Sequence, residues 1–559
     1  MSEAVLGLFA GAAPRVRAAP PSAPFLDLLA ERILAELARA DEPFAITDTL
    51  ILLPNRRAAR ALMARFAARQ EAALLPTIRP LGDLDDDPDV WGPDPAAFDA
   101  PPAIDPLRRR LELARLLRAK ARAEDGADDP VLAIAAADEL CKLLDAAASA
   151  GPVDWGRLPT LVTDKDLAAH WARAAKFLEI IAAFWPAHLA SQGLMDPAER
   201  RTRLLESLAA RWSETPPSTP IVIAGSTGSV AAVRRLMGVV ARLPRGVVVL
   251  PGLDTAMDDA AWAGIAPQHP QFGLRATLED LGLDRRAIPT LAGAEEAPAA
   301  AARRALVNEA LAPAAITADW IARVSEAAKP WDDRAAFLRA ATSGLALHTA
   351  RTEDEEAAIA AIALREALET PGRTAALVTP NAALARRVSA KLRRWGLDVA
   401  PSAGAPLAQT APGILIDLLA ALAADDGDAV AIAALLKHEL ARFAHPAAAD
   451  ALERKLLRGP QRRSSLSAYL AEARAEEWMQ AALPALEALD KILAPLRALF
   501  AAGETTLTAL APALAAAAEA AAAPESPWMG RAGDMAVRFL HDLAEAGDAL
   551  GPVTRAQTP

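Results

Sequence analysis

Two segments of this sequence bring together the residue types that contact phosphate. Each has a proline and an asparagine at a turn, followed by arginines in the first turns of a helix. The candidate contacts are Asn55, Arg56, Arg57 and Arg60 in the first segment, and Asn381, Arg386 and Arg387 in the second. Arginine presents a planar fork of donors that matches a phosphate, and free amides at the start of a helix attract anions. The pattern therefore predicts two phosphate-binding sites, each at the start of a helix.

A strand and a helix, joined by a Pro-Asn turn, are the elements that must position these residues. The apolar runs Leu50–Leu53 and Ala375–Val378 precede the two turns, and neither run alternates between apolar and polar residues. Such runs are typical of parallel strands that are buried on both faces, and the turn then leads into a helix. A solvated helix face beside an ordinary turn is the alternative interpretation of each arginine cluster.

A third candidate contact is the loop Gly225–Ser229, which follows the apolar run Ile221–Ala224. The hydroxyl groups of Ser226 and Thr227 could donate hydrogen bonds to a phosphate or a base, and the glycines would let the backbone approach it. The same glycines are also what a tight turn after a strand requires. The sequence leaves both interpretations of this loop open.

Length and composition limit the class of protein. A chain of 559 residues is expected to form several domains, and a hydrophobic content of 53% with long Ala- and Leu-rich stretches indicates a mostly helical, well-packed protein. A net charge of -11 argues against a protein that coats DNA by itself, but it leaves room for a local basic groove.

Other compositional features point to the compartment. The lone Cys141 excludes an internal disulfide and a cysteine-bound metal cluster. No apolar run reaches the roughly 18 uncharged residues that a membrane span needs, and the first residues lack the pattern of a secretory signal. We therefore expect a cytoplasmic protein without a membrane partner.

The order of elements predicts an α/β protein with large all-α insertions. An opening loop, a helix from Phe25 to Ala40 and the strand Leu50–Leu53 come first, and an acidic, proline-rich segment follows at 83–102. The strands Ile221–Ala224 and Val247–Leu250, with a helix between them, form a βαβ unit further along the chain. A second α/β unit is expected from strands at 346–350, 375–378 and around Val399.

These elements predict five consecutive regions. They are an α/β region at 1–104, a helical insertion at 105–215, α/β regions at 216–340 and 341–410, and a second helical insertion at 411–559. This order is that of superfamily-one helicases, in which two RecA-like domains each carry a helical insertion.

Within that group the chain resembles the AddB subunits of the bacterial AddAB helicase-nucleases, in the form found in alphaproteobacteria. The segments that carry the resemblance are 20–27, 51–62, 75–83, 223–229, 248–254, 392–398 and 402–410. The resemblance covers nearly the whole chain. It implies a first RecA-like domain made of 1–104 and 216–340, and a second that begins at 341.

The residues with which an active helicase holds ATP are missing from the matching positions. A Walker A loop needs glycines, a lysine and a serine or threonine, but this chain has three prolines just before the helix at Phe25 and contains no Gly-Lys dipeptide. The strand that matches Walker B ends in Ala224 and Gly225 rather than in an acidic pair. The resemblance thus implies a degenerate ATP site, with no catalytic residue, cofactor or metal in this chain.

The resemblance also implies a function. The segment from Asn55 to Arg60 matches helicase motif Ia, which holds the backbone of a single strand, and the segment from Asn381 to Arg387 matches motif IV. AddB subunits form a heterodimer with an ATP-driven AddA subunit, a helicase and exonuclease that processes DNA ends in double-strand break repair by homologous recombination. This chain is expected to bind single-stranded and double-stranded DNA ends and to guide the single strand. It is also expected to lack the C-terminal nuclease domain of the family.

Two alternatives stay open. One is a non-catalytic helical scaffold that only docks a partner protein, and the other is a nucleotide-dependent enzyme with an unfamiliar site. Whether the arginines of the two helices fall along one continuous groove would separate the DNA-guiding subunit from the scaffold. Affinity for any nucleotide would identify the enzyme.

Overall fold

The computed structural model divides the chain into two compact units. Unit 1 comprises Met1–Ile104 and Lys142–Leu345, and unit 2 comprises Asp105–Cys141 and Ala346–Pro559. The described residues are 7–37, 44–69, 74–82, 100–151, 153–160, 165–399, 401–402, 404–458 and 464–557. Both halves of the predicted first α/β domain, 1–104 and 216–340, lie in unit 1. Most of the acidic segment predicted at 83–102 is outside the described residues.

Unit 1 is built on a parallel sheet. Its strands are β1 (Val16–Ala19), β2 (Leu50–Leu53), β3 (Thr77–Pro80), β4 (Ile221–Ala224) and β5 (Gly246–Pro251). They are arranged in the order β1-β5-β4-β2-β3, and every neighbouring pair is parallel. The predicted strands at 50–53, 221–224 and 247–250 are therefore confirmed. β1 lies where an opening loop was expected, and β3 was not predicted.

Helices pack on both faces of this sheet, and other helices of unit 1 form a separate small core. Those with residues in unit 1 are α1 (Phe25–Leu37), α2 (Arg56–Ala67), α4 (Pro130–Ala150, in part), α5 (Lys165–Ser191), α6 (Pro197–Glu214), α7 (Ala231–Val240), α8 (Asp259–Gly264), α9 (Phe272–Leu281), α10 (Pro298–Ala310), α11 (Trp320–Ala327) and α12 (Arg334–Thr342). Between α2 and α6 the chain also forms α3 (Pro106–Asp125), which belongs to unit 2.

Both faces of the sheet are covered. Leu52, Ile223 and Val248 point to one face, where they share a core with residues of α6, α7 and α9. Their neighbours Ile51 and Val222 point to the other face and pack with α1 and α2. A strand that is buried on both faces needs apolar residues at every position, which accounts for the lack of alternation in the sequence.

Unit 2 is almost entirely helical. Besides α3 it contains α13 (Glu353–Leu368), α14 (Ala382–Arg393), α15 (Ala411–Ala424), α16 (Ala429–Leu436), α17 (Pro446–Leu452), α18 (Leu466–Ala475), α19 (Leu483–Ala498), α20 (Leu507–Ala522) and α21 (Gly530–Ala546). A short antiparallel pair, β6 (Glu504–Thr505) with β7 (Val553–Thr554), lies near its end. Small side chains such as Ala511 and Ala518, both fully buried on α20, let these helices pack closely.

The second set of predicted strands is wrong in the residues that the structure describes. The segments at 346–350 and 375–378 and the residues around Val399 form no described ladder. Leu347 is 91% exposed and Val378 is 92% exposed. A strand needs hydrogen bonds to a neighbouring strand, and the local sequence preference of one segment cannot supply that neighbour. What does form here is the pair α13 and α14, which pack through Ala361, Val388 and Leu392.

The chain is therefore a mixed α/β protein with a parallel sheet and large helical parts, as predicted. Among the described residues, no helix is both long enough and apolar enough to cross a membrane.

Candidate nucleic-acid interface

The centre of the sheet in unit 1 is where its chain connections change direction. From β2 the chain next enters β3 on one side, and from β4 it next enters β5 on the opposite side. α2, which follows β2, packs on one face of the sheet, whereas α7, which follows β4, packs on the other. Such a switch point opens a crevice beyond the carboxyl ends of the two strands, and open α/β sheets bind ligands there.

The two loops at this crevice are the two that the sequence singled out in this unit. Leu52 of β2 pairs with Ile223 of β4, so the turn that follows β2 and the loop that follows β4 leave the sheet side by side. A Cβ atom built on Gly225 would lie 3.4 Å from Cδ of Pro54, which places the two loops in contact. The structure thus brings Asn55, Arg56, Arg57 and Arg60 together with Ser226 and Thr227 at one edge of the sheet.

Asn55 is the N-cap of α2. Its Oδ1 atom accepts a hydrogen bond of 2.9 Å from the amide of Ala58, and its backbone is extended, with φ -156°. The cap uses the side-chain oxygen and leaves the Nδ2 donors of Asn55 and the first amides of the helix at the exposed turn. These groups and the positive end of the helix dipole favour an anion at this place.

The arginines of α2 and of the turn that follows it divide into two groups. Arg69 lies 2.9 Å from the carboxylate of Asp27 on α1, and Arg65 lies 3.5 Å from the same carboxylate. Arg57 and Arg60 are exposed and have no carboxylate partner in the described part of the chain; the side chain of Arg60 donates only to the carbonyl of Arg56, at 3.4 Å. The uncompensated positive charge therefore lies at the start of the helix, beside the crevice.

The loop after β4 is held in one conformation by its neighbours. Gly225 and Gly228 have φ of 77° and 70°, a region that favours glycine. A Cβ atom on Gly228 would lie 2.0 Å from Oγ1 of Thr277, and the same Oγ1 donates to the carbonyl of Thr227 at 3.3 Å. The interpretation of this loop as a turn that requires glycine is therefore confirmed.

The hydroxyl groups of the same loop remain at the crevice. Ser226 Oγ accepts a hydrogen bond of 3.2 Å from the amide of Gly228, and the side chains of Ser226 and Thr227 are half-buried. The Ser226 hydroxyl keeps its proton for another acceptor, since this contact uses only its oxygen. A contact with DNA at this loop is compatible with its role as a turn.

Sequence reasoning missed a network of charged side chains at the loops that follow β1 and β5. Arg304 on α10 lies 2.8 Å from Asp254, which is 2% exposed, and 3.0 Å from Glu296. Burial by itself lowers the pKa of Arg304, but the two carboxylates outweigh it, and the net effect raises that pKa. The hydroxyl of Ser22, in the loop between β1 and α1, donates to Glu296 at 3.2 Å. Only folding brings Ser22 and Asp254 to Glu296 and Arg304, because they lie 274 residues from Glu296 and 50 residues from Arg304, respectively.

In unit 2 the predicted second contact is also a capped helix start. Asn381 caps α14, and its Oδ1 accepts hydrogen bonds from the amides of Ala383 at 2.9 Å and Leu384 at 3.2 Å. Arg386 is exposed and has no carboxylate partner among the described residues. Arg387 pairs with Glu353 in the first turn of α13, and this hydrogen bond raises the pKa of Arg387. Of the two predicted arginines, only Arg386 carries uncompensated charge.

Comparison of the chain with protein-family models and with curated proteins finds no match.

Proposed function

We propose that this chain binds the backbone of single-stranded DNA at the crevice between β2 and β4 and guides the strand. It does so as a subunit of an ATP-dependent helicase and exonuclease that acts in double-strand break repair by homologous recombination. The observation that carries the proposal is the position of the start of α2. Its free amides and two uncompensated arginines lie at the switch point of a parallel sheet.

The parallel sheet with helices on both faces supports the assignment of unit 1 as a RecA-like domain of an AddB-type subunit. We propose that residues from 341 onward belong to a second such domain, of which α13 and α14 are the helices. The partner in this proposal is an ATP-driven subunit of the AddA type, in a heterodimer that engages DNA ends.

We infer that this chain does not hydrolyse ATP. The loop between β1 and α1, where a helicase holds phosphates, contains Pro20, Pro21 and Pro24, which have no amide hydrogen to donate. The hydroxyl group in this loop belongs to Ser22, and it donates a hydrogen bond to the carboxylate of Glu296. A negative charge at this place disfavours phosphate. Equilibrium dialysis with ATP and Mg²⁺ tests the inference, and saturable ATP binding would refute it.

Two double variants of α2 test the DNA contact. Arg57→Ala/Arg60→Ala and Arg65→Ala/Arg69→Ala each remove two positive charges, the first pair near the start of α2 and the second at and just after its end. Only the second pair has a carboxylate partner, Asp27. We expect the first double variant to weaken binding of a dT oligonucleotide. It should also reduce the slope of log affinity against log salt concentration by about 1.4, because each of the two lost phosphate contacts contributes about 0.7 to that slope.

The second double variant is the matched control and should keep the slope of the unmodified protein. Equal effects of the two variants would refute a specific contact at the start of α2. The alternative is a helical scaffold that only docks a partner protein. It would show no DNA binding, alone or with the partner, while forming a stable complex with that partner.

A further inference from the structure

A second cationic surface lies in unit 1, along α7. It lines a cavity of about 710 Å³ whose walls come from α6, α7, α9 and the turn before β5. We call it the α7 groove and define it by Trp212, Arg234, Arg235, Gly238, Arg242 and Asp280. Of these residues, Arg234 contacts the loop after β4 through the carbonyl of Gly228. A cavity of this size is within the range of about 300 to 1,000 Å³ that small ligands and cofactors occupy.

Two of the three arginines in the α7 groove are paired with carboxylates. Nε of Arg234 lies 2.8 Å from Asp280, and its Nη1 donates to the carbonyl of Gly228 at 2.9 Å. Arg235 pairs with Glu206. These contacts fix the two guanidinium groups in the wall of the groove. They leave little of their charge for a ligand.

Arg242 is different because its partners in the described residues are carbonyl oxygens alone. Its Nη1 donates to the carbonyl of Gly238 at 2.8 Å, and its Nη2 donates to that of Leu281 at 3.4 Å. Carbonyl groups hold a guanidinium in place without neutralising its charge. The side chain is exposed and is therefore a fixed, uncompensated cation at one end of the groove.

Two further arginines are next to residues that line this end, Leu243 and Pro244. Arg15 comes immediately before β1 and donates from Nη1 to the carbonyl of Leu243 at 2.8 Å. Arg245 comes immediately before β5 and is exposed. Neither has a carboxylate partner in the parts of the chain that the structure describes. This end of the groove is at the amino edge of the sheet, opposite the carboxyl edge where β2 and β4 form their crevice.

Gly238 lies in the last turn of α7, four residues before Arg242. Glycine inside a helix costs about 1 kcal/mol relative to alanine, so its presence needs a reason. Packing does not give one: a Cβ atom here would lie 3.5 Å from Nη1 of Arg242 and 3.8 Å from Leu281, which are ordinary contacts. Its effect is to keep the floor of the groove open beside the uncompensated cation.

We propose that the α7 groove binds a phosphate group, with Arg242 as its principal ligand and Arg15 and Arg245 at the mouth. The guanidinium of Arg242 keeps donors free for an anionic oxygen, and a planar fork suits phosphate. The apolar wall formed by Trp212 and Val239 gives room for a sugar or base attached to that phosphate. The phosphate belongs either to a free nucleotide or to a nucleic-acid backbone.

The test is titration of the purified full chain with pyrophosphate, AMP and a dT oligonucleotide. It is repeated with Arg242→Ala and, as a matched control, with Arg286→Ala, which removes an exposed arginine that pairs with Asp259 at 3.0 Å. We expect Arg242→Ala to weaken binding about tenfold, the loss typical of one charged hydrogen bond. The control should not change it. Gly238→Ala should also weaken binding while it keeps every charge.

The oligonucleotide is titrated in the Arg57→Ala/Arg60→Ala background, so that failure of the DNA crevice and failure of the α7 groove give different results. Binding of pyrophosphate or AMP that Arg242→Ala weakens would support a free nucleotide. Binding of the oligonucleotide alone, with the same loss, would support a nucleic-acid backbone. The proposal is overturned if no ligand binds, or if Arg242→Ala and Arg286→Ala give equal affinities while the thermal midpoints of both variants stay unchanged.

Discussion

The loop after β4 offers a sharp prediction, because a single added carbon atom should displace it. In Gly228→Ala the new Cβ would lie 2.0 Å from Oγ1 of Thr277 and 2.8 Å from Cγ of Arg234. Thr277 is fully buried, and its hydroxyl contacts the carbonyl of Gly273 at 2.9 Å as well as that of Thr227. It cannot move away without losing these contacts.

The cost of this substitution has two separable parts. A residue with a side chain at a φ of 70° costs about 1 to 2 kcal/mol in any surroundings. Forcing the atoms apart adds about 1 to 3 kcal/mol for overpacking. Gly282→Ala isolates the first part, since Gly282 has φ 69° and nothing within 4 Å of its ideal Cβ position. We therefore expect Gly228→Ala to destabilise unit 1 more than Gly282→Ala does, by about 1 to 3 kcal/mol.

Hydrogen exchange along a urea series, followed in peptides that cover β4, measures the stability of unit 1 separately from that of unit 2. A second substitution, Thr277→Ala, should recover part of the loss in Gly228→Ala because it removes the atom that clashes. The same loop displacement should weaken binding of single-stranded DNA. Equal losses of stability in Gly228→Ala and Gly282→Ala would show that the close packing of this loop is not what holds it.

Three further predictions follow from individual contacts. Asn55→Ala removes the cap of α2 and should lower the free energy of unfolding by about 1 kcal/mol, as measured by urea denaturation. Asn55→Asp should keep that free energy, because aspartate also caps a helix, but its negative charge should weaken DNA binding in an oligonucleotide titration. Val378→Ser should leave the thermal midpoint unchanged because Val378 is 92% exposed, whereas Val248→Ser, at a fully buried position, should lower it by several degrees. Hydrogen bonds from Arg118 and Arg122 hold the pKa of Asp128 below its usual value. Asp128 therefore stabilises unit 2 above pH ~4, and this contribution is lost as the pH falls further. In urea titrations, the difference in free energy of unfolding between the unmodified chain and Asp128→Asn should become smaller from pH 6 to pH 2.5.

The sequence was sufficient to predict the central strands of the sheet, but it did not predict the two edge strands, β1 and β3. β4 and the residues 247–250 of β5 are uninterrupted apolar runs, as expected of strands that are covered on both faces. β1 contains Arg17, which is 3% exposed and donates to the carbonyl of Gly7 at 2.8 Å, and a buried arginine in a strand is hidden from pattern analysis. β3 ends at Pro80. Edge strands tolerate proline, but in a sequence a proline usually indicates a turn.

The same limit applies to the strands expected after residue 345. The segment at 346–350 has the composition of a strand, but a ladder is a property of two segments and not of one. The candidate site shows the equivalent limit for charge. Asn and Arg at a Pro-Asn turn could be found in the sequence, but the partners of Arg69 and Arg387 could not, because Asp27 and Glu353 lie 42 and 34 residues away along the chain.

Pairing of this kind decides how an acidic chain can bind DNA. The net charge of -11 repels DNA at long range, but salt screens that repulsion beyond about 8 to 10 Å. Inside that distance the relevant charges are those without a carboxylate partner, such as Arg57 and Arg60 at the start of α2. A few such contacts give modest affinity that falls with salt. In the proposed function, binding of this strength would suit a strand that moves along the protein beside a partner that supplies the driving force.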